Sequence, residues 1–453
     1  MIIQPEDLSL LTDLYQLTMA AAYYEKEMFA PATFSLFIRD YPQDRGYFVS
    51  SGLADVLDFL ESFHFNQDAL NYLEKTEMFS DDFLQYLSNL RFTGDVFAMP
   101  EGRVFFKDEP VLEVTAPIIQ AQLAETFVIN AMSLPIAIAG KAARSVSAAR
   151  GRKLVDFSLR RTQGIDAGVK VARSSYIAGF DGTSNVLAGK MFGIPTSGTM
   201  AHSYVTSFEE EIDAFRAFAD VFPKNTVLLI DTFDTINGAR KAVTVAKEMA
   251  GKGEKIKGVR LDSGDMTQLS KEVREIFKEA GMEEVFIFAS GGYDEYKIAD
   301  AVENGAEIDG FGVGTKMGVS ADAPYLDIAY KLVQYDHRPL LKLSSGKKTL
   351  VNRKQVFRNT DNSRPTGDVI ALRDETLEGD PLLIRAMHDG RRQIHPESVR
   401  EIRERFLEEL ENLDEAYKRL KDPDEYAVEL SPGLQKLQQE VVQEVKEKEL
   451  GES

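Results

Sequence analysis

Between residues 120 and 330 the apolar positions fall in short runs, each followed by a longer stretch in which apolar side chains recur every three or four places. The runs at 154–158, 227–230, 258–261, 285–289 and 310–313 read as strands. The stretches 208–218, 236–250, 267–279 and 293–304 read as amphipathic helices. Alternation of this kind builds a parallel sheet from βα units. Over a span of about 210 residues it predicts an irregular (β/α) barrel, with the chemistry where strands end and loops begin.

The pattern is different on either side. Residues 8–24 and 52–63 have helical spacing, residues 33–38 alternate as a strand, and short strand-like runs punctuated by glycine and proline occupy 102–106 and 111–114. Strand patterns return at 330–335, 339–343, 355–358 and 382–385, and the charged segments 397–420 and 432–450 read as helices with solvated faces or a dimer contact. The fold class expected is therefore α/β, with a split arrangement. An N-terminal α/β domain (1–120) precedes the barrel (121–330), strands at 331–395 rejoin the first domain to complete a sandwich, and a helical tail (396–453) follows. The most apolar stretch, 121–140, is interrupted by Gln122, Glu125 and Asn130, so it reads as a buried core helix and not a membrane span.

Composition narrows the chemistry. Zero cysteines exclude disulfides, thiolate metal sites and a cysteine nucleophile. A net charge of −20 repels polyanions, so no nucleic-acid or membrane partner is expected. The first residues lack the basic and apolar blocks of a signal peptide, which leads to the expectation of a cytoplasmic protein. Against the acidic mean, Lys141, Arg144, Arg150, Arg152, Lys153, Arg160 and Arg161 form a basic island facing only Asp156, which suggests a small polyanion such as a phosphorylated metabolite or, alternatively, a solvated helix face.

Several strand-end loops carry polar groups that packing does not require. His202, one of five histidines, lies among small residues in Ser197-Gly198-Thr199-Met200-Ala201-His202-Ser203, where a phosphate can approach an imidazole acting as nucleophile or acid/base. The alternative is a turn histidine with a capping role. Arg160 and Arg161 follow the strand ending in Asp156-Phe157-Ser158 and can clamp an anion. Arg260 and Asp262 stand two apart, so strand periodicity aims both at one face, with helix capping by Asp262 or Ser263 as the competitor. Asp231 ends another strand and, with Asp234 and Thr235, imperfectly resembles the acidic phosphoribosyl-diphosphate (PRPP) loop of the type I phosphoribosyltransferases; the same residues could instead cap the following helix. The glycine turns Ser290-Gly291-Gly292 and Gly312-Val313-Gly314-Thr315-Lys316 follow the last two strands, where backbone N–H groups meet phosphate oxygens.

Five segments in order, Thr12-Asp13-Leu14-Tyr15-Gln16, Asp156-Phe157-Ser158-Leu159-Arg160-Arg161, Gly198-Thr199-Met200-Ala201-His202-Ser203, Arg260-Leu261-Asp262-Ser263-Gly264-Asp265 and Gly312-Val313-Gly314-Thr315-Lys316, resemble the nicotinate phosphoribosyltransferase family. The resemblance implies a cytoplasmic homodimer with its active site at the subunit interface. It implies transfer of 5-phosphoribosyl from PRPP to nicotinate, releasing nicotinate mononucleotide and diphosphate, coupled to hydrolysis of ATP as co-substrate. Mg²⁺ would accompany PRPP and ATP, with no metal held by protein ligands alone.

By position, His202 matches the histidine phosphorylated by ATP. Tyr15, beside Asp13, matches an aromatic stacking on the pyridine from the neighbouring subunit, and Phe157 matches the opposite face. Arg160 and Arg260 match cationic ligands, Thr199 matches a nicotinate-contacting threonine, and Ser203 of the same motif joins the substrate-binding set. Gly291, Gly292, Gly312, Gly314 and Thr315 match loops around the 5-phosphate, and Asp231 and Asp262 match acids near ribose and ring nitrogen. Ser184 stands where nicotinamide-using relatives carry aspartate, which removes a repulsion against a substrate carboxylate. A helix cap is the plainer reading of Ser184. The rivals are a nicotinamide or quinolinate phosphoribosyltransferase on the same architecture, and a non-catalytic metabolite-binding regulator.

Overall fold

The structure, a computed structural model, describes residues 4–343 and 349–451. The chain divides into two compact units, residues 1–137 with 325–453, and residues 138–324. Where the hydrophobic pattern put the first boundaries at 120 and 330, the units part at 137 and 325, inside the helix Glu125–Ala149 and just before the strand Ile328–Tyr335.

In the discontinuous unit, early and late strands share one sheet. Pro31–Ile38 pairs antiparallel with Ile328–Tyr335 on one side and with Leu112–Pro117 on the other. Asp95–Ala98 then pairs with Ile384–His388, so the chain returns to its first sheet after the intervening unit. A second sheet joins Asp380–Pro381, Lys354–Asp361, Arg364–Leu372 and Val428–Leu430. The expected tail helix at 397–420 is shorter: Ser398 and Glu401 form a reciprocal capping box, and the helix runs Val399–Asn412. Its Ile402, Phe406 and Leu410 are buried on one face, so the charges of this segment form only its outer side. The first helix also starts late, at Leu14, after Asp13 at its N-cap.

Helix 118–149 is long and apolar enough to cross a membrane by length and hydropathy, but 61% of its apolar window is buried inside the protein. Val128, Met132 and Ile136, four residues apart, are fully buried, as a core helix requires.

A buried acidic pair yields one stability prediction. Glu109 is fully buried and accepts the Phe106 N–H at 2.8 Å, close to Asp368, which Arg358 grips through Nη2 at 2.6 Å and Nε at 3.0 Å. Burial, then the Asp368 charge, push the Glu109 carboxyl well above its ordinary range. A carboxyl raised in the fold contributes full stability below its unfolded pKa and loses it as pH rises through the folded value. Glu109→Gln, which never ionises, is expected to melt with wild type in acid and to gain on the order of a few degrees in Tm at neutral and alkaline pH. Thermal melts across pH check this, and a constant gap between the two proteins would refute it.

The continuous unit holds six parallel strands in the order Gly182–Thr183, Lys153–Asp156, Gly310–Val313, Phe286–Ala289, Gly258–Leu261, Val227–Leu229. Among the described residues no ladder joins the two edge strands. The helices Thr235–Gly251, Met266–Glu279 and Glu295–Glu303 alternate with the strands and bury apolar faces such as Ala242-Val243-Ala246, Val273-Phe277 and Ile298-Ala301. The molecule is mixed α/β with a parallel sheet, and the carboxyl ends of these strands share one edge, where the polar loops emerge.

Candidate active site

Each of those helices is started by an aspartate, and these are not the residues aimed at a ligand. Asp234 accepts the Asn237 N–H, Asp265 that of Gln268 and Asp294 that of Lys297. Asp231, Asp262 and Ser263 are thereby released from capping. Asp231 Oδ2 instead accepts the Asp262 N–H at 2.9 Å and the Ser263 hydroxyl at 2.6 Å, which ties two strand ends together. Its Oδ1 is buried without a hydrogen-bond partner among the described residues. The Ser290 hydroxyl donates to Asp262 Oδ1.

Arg260 lies under this group. Its Nη1 donates to Thr199 Oγ1 and to the Met200 carbonyl, each at 3.0 Å, and its Nη2 stands 3.6 Å from Asp262 Oδ1. The guanidinium carbon sits 6.0 Å from the Phe157 ring centre, within cation–π range. Its Nε is buried with no acceptor among the described residues. Burial pushes the guanidinium below its usual pKa, Asp262 and Asp231 draw it back up, and the Arg160 charge adds to the lowering. Arg160 is therefore close enough to be felt. It is exposed and, among the described residues, has no acidic partner.

His202 opens a short helix, His202–Val205, on the loop that Arg260 anchors. Its Nδ1 lies 3.2 Å from Thr232 Oγ1 and its Nε2 lies 3.8 Å from Asp262 Oδ2, with the side chain 43% exposed. A capping role is not what this imidazole does: it is held between a hydroxyl and a carboxylate with one flank open. Ser203 beside it is exposed, and its carbonyl accepts the Thr206 hydroxyl at 3.3 Å.

Two of the glycines are sterically required. Gly291 has φ +103°, and a Cβ there would sit 2.1 Å from the Asp262 carbonyl oxygen. A Cβ at Gly312 would sit 2.7 Å from the Phe157 ring. Gly292, with φ +74°, leaves its turn open beside the Lys297 ammonium, and Gly314 rests on the Phe157 carbonyl. Thr315, itself exposed, starts a short helix after Gly314 that buries Met317 and Gly318. Phe157 packs at a tilt on Phe288, ring centres 5.6 Å apart.

Asp156, fully buried, organises the neighbouring strand end. It accepts the Ser158 N–H at 2.8 Å and the Thr183 hydroxyl at 2.7 Å, and burial raises its carboxyl above the usual range despite these donors. The Ser184 N–H donates to the Asp156 carbonyl at 2.8 Å. The helix cap here is Asn185, whose side chain accepts the Ala188 N–H, so the half-buried Ser184 hydroxyl is not spent on capping.

Asp13 and Tyr15 belong to the other unit. Asp13 accepts the Thr126 hydroxyl at 2.9 Å, and Tyr15 is 49% exposed. The basic island dissolves into structural contacts. Lys141 and Arg144 meet buried Glu295 at 2.7 and 3.1 Å, Arg150 meets Glu303, Lys153 meets Asp181, and Arg152 donates to the Ile308 carbonyl. Only Arg160 and Arg161 are left without such partners among the described residues. Thr232 and Ser290 are functional candidates that the sequence reading passed over, although both sit inside segments it singled out.

Two other features lie in the discontinuous unit. A cleft of about 550 Å³ is walled by Arg103, Arg358, Arg405, Glu404, Glu408 and Glu409, but its cations are already matched, with Arg358 on Asp368 and Glu409 and Arg103 on Glu409. Asp95, His388 and Asp389 bring ligand atoms within 4.8 Å, in an arrangement where His388 Nδ1 is paired to Asp95 at 2.9 Å.

Glycine turns, an anchored arginine and an oriented imidazole at the carboxyl edge of a parallel sheet suit a group-transfer enzyme that handles a phosphorylated substrate. Comparison with known proteins narrows that class. Models of the nicotinate phosphoribosyltransferase N-terminal domain, family core and C-terminal domain match residues 10–133, 152–369 and 377–438. The chain belongs to the nicotinate phosphoribosyltransferase family. It is 51% identical to a nicotinate phosphoribosyltransferase of Mycobacterium tuberculosis across 85% of this chain and 82% of that one. Against the Bacillus subtilis nicotinate phosphoribosyltransferase it is 37% identical across 97% and 96%. The crystal structure of human nicotinic acid phosphoribosyltransferase superposes with a TM-score of 0.85 at 29% identity, covering 95% of this chain and 99% of the other.

Proposed function

We infer that this chain is an enzyme that transfers the 5-phosphoribosyl group of PRPP to nicotinate, yielding nicotinate mononucleotide and diphosphate for NAD salvage. The observation carrying this reading is the Arg260–Asp262–His202 group beside two sterically obligatory glycine turns, in a chain aligned nearly end to end with enzymes of that name. The pyridine nitrogen attacks ribose C1′ while the C1′–O bond to diphosphate breaks and the diphosphate takes the electron pair. Such a reaction needs orientation and charge stabilisation more than covalent help. The turns at 290–292 and 312–315 hold the 5-phosphate, Phe157 supplies one face for the ring, and Arg260 and Arg160 hold anionic groups. Mg²⁺ would ride chiefly on diphosphate oxygens. The unpartnered, buried Asp231 Oδ1 and the Asp262 carboxylate are the acids suited to it, and the ion would neutralise the leaving group.

ATP enters as co-substrate. An imidazole nitrogen of His202 attacks the γ-phosphorus, the bond to ADP breaks, and water later removes the phosphate. The six parallel strands with their interleaved helices suit an irregular barrel. A homodimer accounts for Val186, Leu187 and Met191, which lie on one helix at 74%, 54% and 57% exposure, and for an exposed Tyr15 able to serve a second subunit's site.

Purified protein with nicotinate, PRPP and Mg²⁺, with and without ATP, is expected to release diphosphate and form the mononucleotide. Turnover of quinolinate or nicotinamide in place of nicotinate, or none with any of the three, would reject the reading. A fold likeness at TM-score 0.75 to the nicotinate-nucleotide pyrophosphorylase of Pyrococcus furiosus makes that three-way comparison worthwhile. Ser184→Asp is expected to lower kcat/KM for nicotinate by about 10²-fold, because a carboxylate beside the substrate's own adds like-charge repulsion. An equal loss for nicotinate and nicotinamide would show that charge at this position does not select.

A further inference from the structure

Resting on the reading above, we propose that Asp294 and Lys316 are positioning residues that lock the two glycine turns into one anion cradle of fixed width. The turns follow two neighbouring strands, Phe286–Ala289 and Gly310–Val313, which pair in parallel as far as Ala289 and Phe311, and among the described residues no backbone hydrogen bond between 290–294 and 312–316 continues that pairing. What joins the turns beyond the ladder is an ion pair, Lys316 Nζ to Asp294 Oδ2 at 2.5 Å. The Asp294 side chain is 7% exposed and that of Lys316 48%, so the carboxylate end of the pair is withdrawn from solvent screening while the ammonium end stays half open to it.

The two ends of this strap are held differently. Asp294 caps the helix Glu295–Glu303, and the next residue, Glu295, is buried and gripped by Lys141 and Arg144. The first turn also packs on Asp262, through Gly291 and the Ser290 hydroxyl. Its position is therefore set from several sides. The second turn is held from its other side: the Val313 carbonyl accepts the Phe157 N–H at 2.8 Å, Gly314 rests against the Phe157 carbonyl, and the helix Thr315–Gly318 that follows buries Met317 and Gly318. Burial alone would raise the Asp294 carboxyl, yet the Lys316 ammonium and the Lys297 N–H hold it below its usual range, so the pair is ionised under ordinary conditions. The carboxylate also occupies Lys316, which would otherwise serve as a ligand in its own right. Lys316 thus acts on the phosphoribosyl donor through the backbone of residues 314–316.

The test is a double-mutant cycle with Tm and both KM values measured. Asp294→Asn keeps a competent cap and removes only the charge, Lys316→Met removes the other partner, and Lys316→Arg restores it. Each single loss is expected to raise KM for PRPP about tenfold, with KM for nicotinate unchanged within about twofold and Tm unmoved. The double variant should be no worse than the poorer single, and Lys316→Arg should stay within about threefold of wild type. Titration with ribose 5-phosphate should repeat the same ratios without turnover. Multiplicative losses in the double variant would mean that Lys316 contacts the donor itself. Parallel losses in both KM values with a lowered Tm would mean mere scaffolding. Either result, or an unchanged KM for PRPP, overturns the proposal. The functional reading fails on a separate result: no diphosphate released by the unaltered protein, whatever the titration returns.

Discussion

Arg260→Met is expected to reduce kcat/KM for phosphoribosyl transfer by about 10³-fold, and Arg260→Lys by about 10²-fold, the scale seen when a preorganised donor to developing charge is removed. Two separate jobs are lost together. Nε, unpartnered among the described residues, and Nη2, facing Asp262 at 3.6 Å, lie in a mostly buried setting, where a cation stabilises a departing anion far better than water-exposed charge does. Meanwhile Nη1 bridges Thr199 and the Met200 carbonyl, which fixes the loop leading to His202. Lysine restores the charge but cannot hold the loop and present a second face at once, so it should recover only part of the loss. Removing the cation also leaves Asp262 and Asp231 without their neutralising neighbour, so a modest fall in Tm should accompany the methionine variant. Steady-state kinetics on both substrates decides the matter. If the Arg260→Lys enzyme matched wild type, the anchoring of the 199–200 loop would have no part in the rate.

How far the sequence alone reached depended on the distance over which the relevant interaction runs. Arg260 and Asp262 were legible because strand geometry is local: two residues apart means one face. The glycine turns were legible for the same reason, since each follows its own strand. The capping alternative holds for Asp234 but not for Asp231, Asp262 or Ser263. Asp231 and Asp262 looked like cap candidates because they precede helical patterns, but the caps are Asp234 and Asp265, and only the fold shows Asp231 turned to the Asp262 N–H instead. The basic island was harder still. Lys141 and Arg144 find Glu295 about 150 residues further along, and no local pattern announces such a partner. The strand Arg364–Leu372 went unread because Pro365 and Gly367 interrupt its pattern. The structure absorbs them near the register shift beside Thr360, at the strand's start. Thr232 was visible next to Asp231, but its value rests on where the His202 ring lies.

That ring carries the last expected result. His202→Ala should abolish both acid-labile phosphate on the protein and the increment in turnover that ATP provides, with the ATP-dependent rate falling by about 10²-fold or more. The geometry explains why this imidazole is prepared for the reaction. Thr232 engages Nδ1 and Asp262 stands opposite Nε2, so the ring cannot rotate freely, and its orientation is set before a phosphate arrives. Phosphorylation leaves positive charge on the ring and a dianion on the phosphoryl group. The Asp262 carboxylate meets the first and the Arg260 side of the site meets the second. Because Asp262 also touches Arg260 and Ser290, a change at His202 is felt by the strand end that bears the first glycine turn. On the proposed reading, ATP would in this way bias the cradle between holding PRPP and releasing product. Thr232→Val, which frees one nitrogen but keeps the nucleophile, should weaken coupling by about tenfold without abolishing the phosphoprotein. The decisive pair of measurements is phosphate incorporation and the ATP stimulation ratio, taken on the same preparations. Full stimulation in His202→Ala would require some other residue to accept the phosphate, and the arrangement around the imidazole would then have to be read as structural support for Arg260.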